Sequence, residues 1–161
     1  LSEEVSVPRL DISLASVELV TGAPPALRVV HGDAQPGPRT DWHATVAVAE
    51  EPCLLLDPGG LVGAVSAAFV RMFALDSAAE VLGRGLLDDL LELVDFSAGS
   101  SRLAAPELER IPPLQSLRSG GLARGLLRVR VQGRVRTIDA VTAPVRSGGQ
   151  VCGSLTFFSE I

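Results

Sequence analysis

Over residues 126–131, 135–146 and 151–158, apolar and polar side chains follow the strand period of two. Gln132-Gly133-Arg134 and Ser147-Gly148-Gly149-Gln150 between them are turn material, so the three strands form an antiparallel run. A two-residue turn at Gln132-Gly133 sets Val131 opposite Arg134 and collects Leu127, Val129, Ile138 and Ala140 on one side, the predicted core side. The other side holds Arg124, Arg128, Arg130, Val135, Thr137 and Asp139, where Asp139 can pair diagonally with Arg128 or Arg124.

Upstream the period changes. Residues 53–56 and 61–65 are short apolar runs joined by Asp57-Pro58-Gly59-Gly60, in which Pro presets one turn torsion and Gly permits positive φ, so they predict a hairpin. Ser66 is placed to cap a helix whose Phe69, Val70 and Phe73 share a face. A second capped start at Asp76 to Glu80 gives a short helix ended by Gly83. Residues 86–96 set Leu87, Leu90, Leu91 and Val94 against Asp88, Asp89 and Glu92, which predicts another helix. Residues 97–105 read as loop, and 106–117 as a helix that Pro112-Pro113 breaks or kinks. Ahead of all these, residues 42–50 predict a short amphipathic helix capped by Thr40 or Asp41 and stopped by Pro52.

Punctuators crowd residues 32–38 and divide the chain into an arm, 1–39, and a main domain, 40–161. In the arm, Leu10, Ile12 and Leu14 alternate with Asp11 and Ser13, and residues 26–30 supply a second strand across Thr21-Gly22-Ala23-Pro24-Pro25. A lone hairpin is marginal in water, so it must pack on the main domain, a second copy or a neighbouring domain. The main domain is α+β, with one antiparallel sheet and helices on one side.

Residues 41–161 resemble a PAS domain, a small sensory module of bacterial signalling proteins. Leu54-Leu55-Leu56-Asp57-Pro58-Gly59-Gly60-Leu61-Val62 is similar to that family's first hairpin with its Asp-x-x-Gly turn, and Ser66-Ala67-Ala68-Phe69 to the opening of its next helix. Glu80-Val81-Leu82-Gly83-Arg84 is similar to its Glu-x-x-Gly-Arg element. Ala143-Pro144-Val145, Val151-Cys152-Gly153 and the exit Phe157-Phe158-Ser159-Glu160-Ile161 complete the pattern. Many members carry Asn where Val65 stands, and without it a polar tie between first helix and hairpin is lost. The resemblance implies a five-stranded sheet of order 2-1-5-4-3, helices over its inner face, and a signal passed to a neighbouring domain through the chain ends.

The composition is globular, with 47% hydrophobic and 20% charged residues among 161. Mean hydropathy is +0.33, yet no run approaches the roughly 20 apolar residues of a membrane span. A net charge of −5 leaves no basic excess for a phosphate backbone, so direct nucleic-acid binding is not expected. Two cysteines, Cys53 and Cys152, are too few for a disulfide framework and fit a reducing cytoplasm. They stand near the starts of antiparallel neighbours, which predicts two free thiols at opposite ends. The chain opens on Leu with no signal pattern, as an excised piece of a longer protein would.

The site chemistry argues against an enzyme. His31 and His43 lie away from the expected interior, Asp88, Asp89 and Glu92 read as a solvated face, and no glycine cluster has phosphate-loop spacing. Of the cofactors that PAS-like modules hold, haem commonly needs an axial His from the later helices, and no His follows His43. Photoreactive flavin needs a Cys soon after the Gly-Arg element, where this chain has Gly85-Leu86-Leu87-Asp88. No cofactor is therefore expected. The apolar interior comprises Leu55, Phe69, Phe73, Leu90, Val94, Leu127, Val129, Ile138, Leu155 and Phe157, read either as core or as the lining of an apolar-ligand pocket. Trp42, Val46 and Val48 are expected as an exposed apolar stripe for a homodimer or partner contact. The expected function is a cytoplasmic regulatory module coupled to an effector domain of the same chain, with a small-molecule receptor as the alternative.

Overall fold

A computed structural model of the chain describes residues 40–161; the expected arm hairpin and His31 lie outside them. The elements run α1 (Trp42–Ala47), β1 (Cys53–Leu56), β2 (Val62–Val65), α2 (Ala67–Met72), α3 (Ala78–Val81), β3 (Glu92–Val94), α4 (Ala105–Leu108), α5 (Pro112–Ser119), β4 (Ala123–Val131), β5 (Arg134–Ser147) and β6 (Gln150–Glu160). The strands form one antiparallel sheet of order β2-β1-β6-β5-β4-β3. That is the expected order with one strand added at the edge.

The added strand replaces the helix expected over residues 86–96. Asp88 closes a turn onto Gly85, its N–H 3.0 Å from the Gly85 carbonyl, and Asp89 takes a φ of +57°, which no helix accommodates. Glu92 and Val94 then lie opposite Arg130 and Arg128 of β4. Glu92 bonds the Arg130 guanidinium at 3.0 Å, and the Arg128 guanidinium holds the Asp95 carbonyl at 2.9 Å. A short helix gains little by itself, so this pairing with an open sheet edge prevails over the leucine spacing.

Across the β4–β5 turn Val131 faces Arg134 and Leu127 faces Ile138, the expected register. Leu127, Val129, Ile138 and Ala140 are buried, and Asp139 takes Arg124 as its partner, 2.6 Å away. The inner face continues through Leu54, Leu56 and Phe158, beneath Phe69 and Phe73 of the α2 region. Cys53, Leu55, Ala64, Ala143, Val145 and Leu155 point the other way and pack with Val46. So α1 lies on the outer face, whereas helices on one side only were expected. Trp42 packs half-buried against that same outer cluster and Val46 is only 2% exposed, so Val46 covers its own sheet and is not part of an exposed stripe; of the three, Val48 stands out, at 80% exposure. The cause is that β1 is buried on both faces, and a four-residue apolar run needs a cover on each side.

Local chemistry fixes the joints. The Asp57 carboxylate accepts the N–H groups of Gly59 and Leu61, both at 2.9 Å, and Gly60 supplies the φ of +80° that completes the hairpin turn. Asp41 rather than Thr40 caps α1, accepting from the Ala44 N–H at 3.1 Å. Pro112 and Pro113 start α5, where their missing N–H groups cost nothing, and so split the 106–117 region into two helices.

Ser66 does more than cap α2. Its hydroxyl oxygen accepts from the N–H groups of Phe69 at 3.2 Å and Cys53 at 3.0 Å, while its proton goes to the Glu51 carbonyl at 2.7 Å. This fully buried hydroxyl is saturated and ties helix to hairpin, the connection that the missing Asn at Val65 had put in doubt. Ser66→Ala orphans those groups and is expected to cost about 3 kcal/mol in a urea titration. A loss under about 0.5 kcal/mol would show that Ser66 is not the tie.

Candidate functional site

The space between the inner face and the helices is where a sensory ligand would lie. Phe69, Phe73 and Phe158 meet there, with ring centroids 4.7 Å apart for Phe69–Phe73 and 5.5 Å for each contact with Phe158. Tilted and edge-on packing of this kind adds to the gain from burying three large side chains. From the other end α5 closes down on the sheet. A Cβ on Gly125 would come within 3.3 Å of the Pro112 ring, so glycine is what lets the helix approach β4. Ser154 of β6 donates to the Pro113 carbonyl at 3.0 Å. Arg146 of β5 holds the carbonyl of Gly120, just past the end of α5, at 2.7 Å. Between these anchors the Thr142 and Thr156 hydroxyls bond each other at 2.8 Å.

Among the expected interior residues, Phe69, Phe73, Leu90, Leu127, Val129 and Ile138 share this inner cluster. Val94 is buried at the sheet edge opposite Arg128. Leu55, Leu155 and Phe157 fall on the outer face instead. Alternation misleads in β6 because polar Ser154 and Thr156 look solvent-facing and apolar Leu155 and Phe157 look inward. The reverse holds, since α1 makes the outer side dry and hydroxyl pairing makes the inner side tolerant of Ser and Thr. Phe158, which sequence reasoning passed over, is the β6 aromatic at the centre of the core.

A cleft of about 50 Å³ lies between residues 86–93 and 102–108, lined by Leu86, Leu91, Leu103 and Leu108 with the Asp89–Arg102 pair among its walls. That volume suits a water or two and is several-fold below the roughly 300 Å³ at which organic-ligand pockets begin. His43 lies on the outer face, where a Cβ on Gly63 would come 3.0 Å from its Nε2. Asp89 and Glu92 are engaged with Arg102 and Arg130. Among the described residues no three His, Cys, Asp or Glu side chains gather as a metal site.

The cysteines are both free and differ sharply. Cys53 is buried opposite Phe157, far along β6 from Cys152, which is exposed. Burial disfavours the thiolate and pushes the Cys53 thiol up to about 11. At about pH 8 roughly one Cys53 thiol in a thousand is ionised, so a disulfide reagent should label Cys152 first and Cys53 only as the protein unfolds. Equal labelling rates would contradict the packing of α1 over β1.

No family model and no curated protein matches the sequence. Solved structures do. The PAS domain of nitrogen regulation protein NR(II) from Vibrio parahaemolyticus is 18% identical, with a TM-score of 0.52 over 76% of this chain and 100% of that one. A PAS domain from Colwellia psychrerythraea is 14% identical, TM-score 0.54, over 73% of this chain and 92% of the other. A LOV protein of Rhodobacter sphaeroides is 17% identical, TM-score 0.55, covering 74% and 64%. This chain has the PAS fold.

Proposed function

We propose that residues 40–161 are a regulatory PAS module that works through contacts with other protein segments, without catalysis and without a resident cofactor. The observation that carries this reading is the filled interior: Phe69, Phe73 and Phe158 occupy the centre, and among the described residues every buried side-chain polar atom has a partner. A receptor for an organic ligand offers unfilled volume and a few unpaired polar groups; among the described residues the cleft beside Leu86 holds about 50 Å³ and no buried side-chain polar atom lacks a partner. The PAS-fold neighbours support the regulatory part, since one belongs to a nitrogen regulation protein. In this reading the module sits in the cytoplasm beside an effector domain of the same protein. No helix among the described residues is long and apolar enough to cross a membrane. A homodimer remains part of the proposal, through a surface that does not include the buried Val46.

Native mass spectrometry and an absorbance scan of freshly purified protein test the reading. A mass equal to the chain or to a whole multiple of it, with no band beyond the protein region, is the expected result. A retained small molecule would overturn the filled-core reading in favour of a receptor for an apolar ligand.

A further inference from the structure

The β2 edge of the sheet is sealed by its own chain. Leu61 bridges Gly85, the Val62 N–H donates to the Arg84 carbonyl at 2.8 Å, and the Gly83 N–H donates to the Val62 carbonyl at 2.8 Å. Residues 83–86 form a strap that takes up the backbone groups an added strand would use, so recognition at this edge falls to side chains. Alternation sorts those side chains. Val62 and Leu86 turn into the core, whereas Leu61 and Leu87 stand outside, 41% and 42% exposed. Leu82, 47% exposed, comes just before the strap. A Cβ on Gly83 would meet nothing within 4 Å, so the space over that part of the strap is open.

The apolar surface continues past the strap. Leu87 also borders the cleft between residues 86–93 and 102–108, whose other walls include Leu91, Leu103 and Leu108. At about 50 Å³ the cleft is too small for an organic ligand but has room for the tip of one apolar side chain. A leucine ridge leading into a slot is a shape that anchors one residue of a protein segment.

Charge decides the kind of segment. Residues 76–92 hold Asp76, Glu80, Asp88, Asp89 and Glu92 against Arg84 alone, a net −4 where the whole chain carries −5. Arg102 and Arg130 reach in to pair with Asp89 and Glu92. Asp76, Glu80 and Asp88 take no ion pair among the described residues, and Arg84 directs its guanidinium to the Asp88 carbonyl at 3.0 Å. The Asp88 carboxylate lies against the strap, 2.5 Å from where a Cβ on Gly85 would stand. Such an acidic rim repels nucleic acid, an anionic lipid surface and an acidic peptide, and it attracts a basic one.

We infer that the ridge of Leu61, Leu82 and Leu87, with the cleft beside it, docks a basic amphipathic segment of a partner protein. One apolar side chain of that segment enters the cleft while its Lys or Arg residues face Glu80 and Asp88. The inference deepens the reading of residues 40–161 as a contact module and rests on that reading.

Two model helical peptides test it through amide shifts of the whole 161-residue chain. One carries Leu and Lys at amphipathic spacing, and the other has Glu in place of each Lys. The Leu–Lys peptide should shift the amides of residues 61–62, 82–92 and 102–108, and should bind at least about tenfold more tightly than its Glu counterpart. Leu87→Ser should weaken that binding at least about tenfold, and Asp88→Asn about twofold to threefold, with a smaller effect at high salt. Both side chains are exposed, so the fold should survive either change. Shifts centred elsewhere overturn the inference, as do equal binding of the two peptides, no binding of either up to about 1 mM, or a Leu87→Ser chain that binds as well as the parent. Shifts of the same amides with protein concentration alone overturn it too, since a second copy is then the occupant. Whether the core retains a small molecule is decided separately by the mass spectrum, so this surface and the contact-module reading fail by different results.

Discussion

The register between β5 and β6 is the constraint from which the rest of the molecule follows. It sets Ala140 opposite Phe158 and Thr142 opposite Thr156, which turns Phe158 into the core and Leu155 outward under α1. A slip of one residue would reverse every one of these side chains. The Thr142–Thr156 hydroxyl pair, fully buried, resists such a slip, because a shifted strand would leave both hydroxyls without partners in a dry interior.

From that register comes a domain that is dry on both sides of its central strands. The inner side closes through aromatic packing and the Pro112–Gly125 contact, and the outer side closes through Val46 and Trp42. Burial of each large side chain contributes about 1.5 to 3 kcal/mol, so neither cover is dispensable in a domain of this size. In the proposed reading, an interior filled in this way leaves surfaces as the means of communication. This is the link from packing to the proposed regulatory role.

Much of this was legible in the residues. The turn at Asp57 to Gly60, the cap at Ser66 and the β4–β5 register follow from local chemistry, and that register left Asp139 a choice of Arg124 or Arg128, of which it takes Arg124. The misreadings share one cause, namely tertiary cover that a single strand or helix cannot announce. Leu54, Leu55 and Leu56 are all buried, so their faces carry no signal. Phe157 and Phe158 differ only through the partner strand, and the 92–94 strand exists because β4 offered an edge. The third bond of Ser66, to the Glu51 carbonyl, spans 15 positions, beyond the reach of a capping rule.

The most direct test of the account is a nuclear Overhauser measurement of cross-strand contacts in the whole chain. The predicted result is backbone contact between Thr142 and Thr156, and ring contact of Phe158 with both Phe69 and Phe73. Backbone pairing of Thr142 with Leu155 or Phe157, or a Phe157 ring against Phe69, would contradict the account.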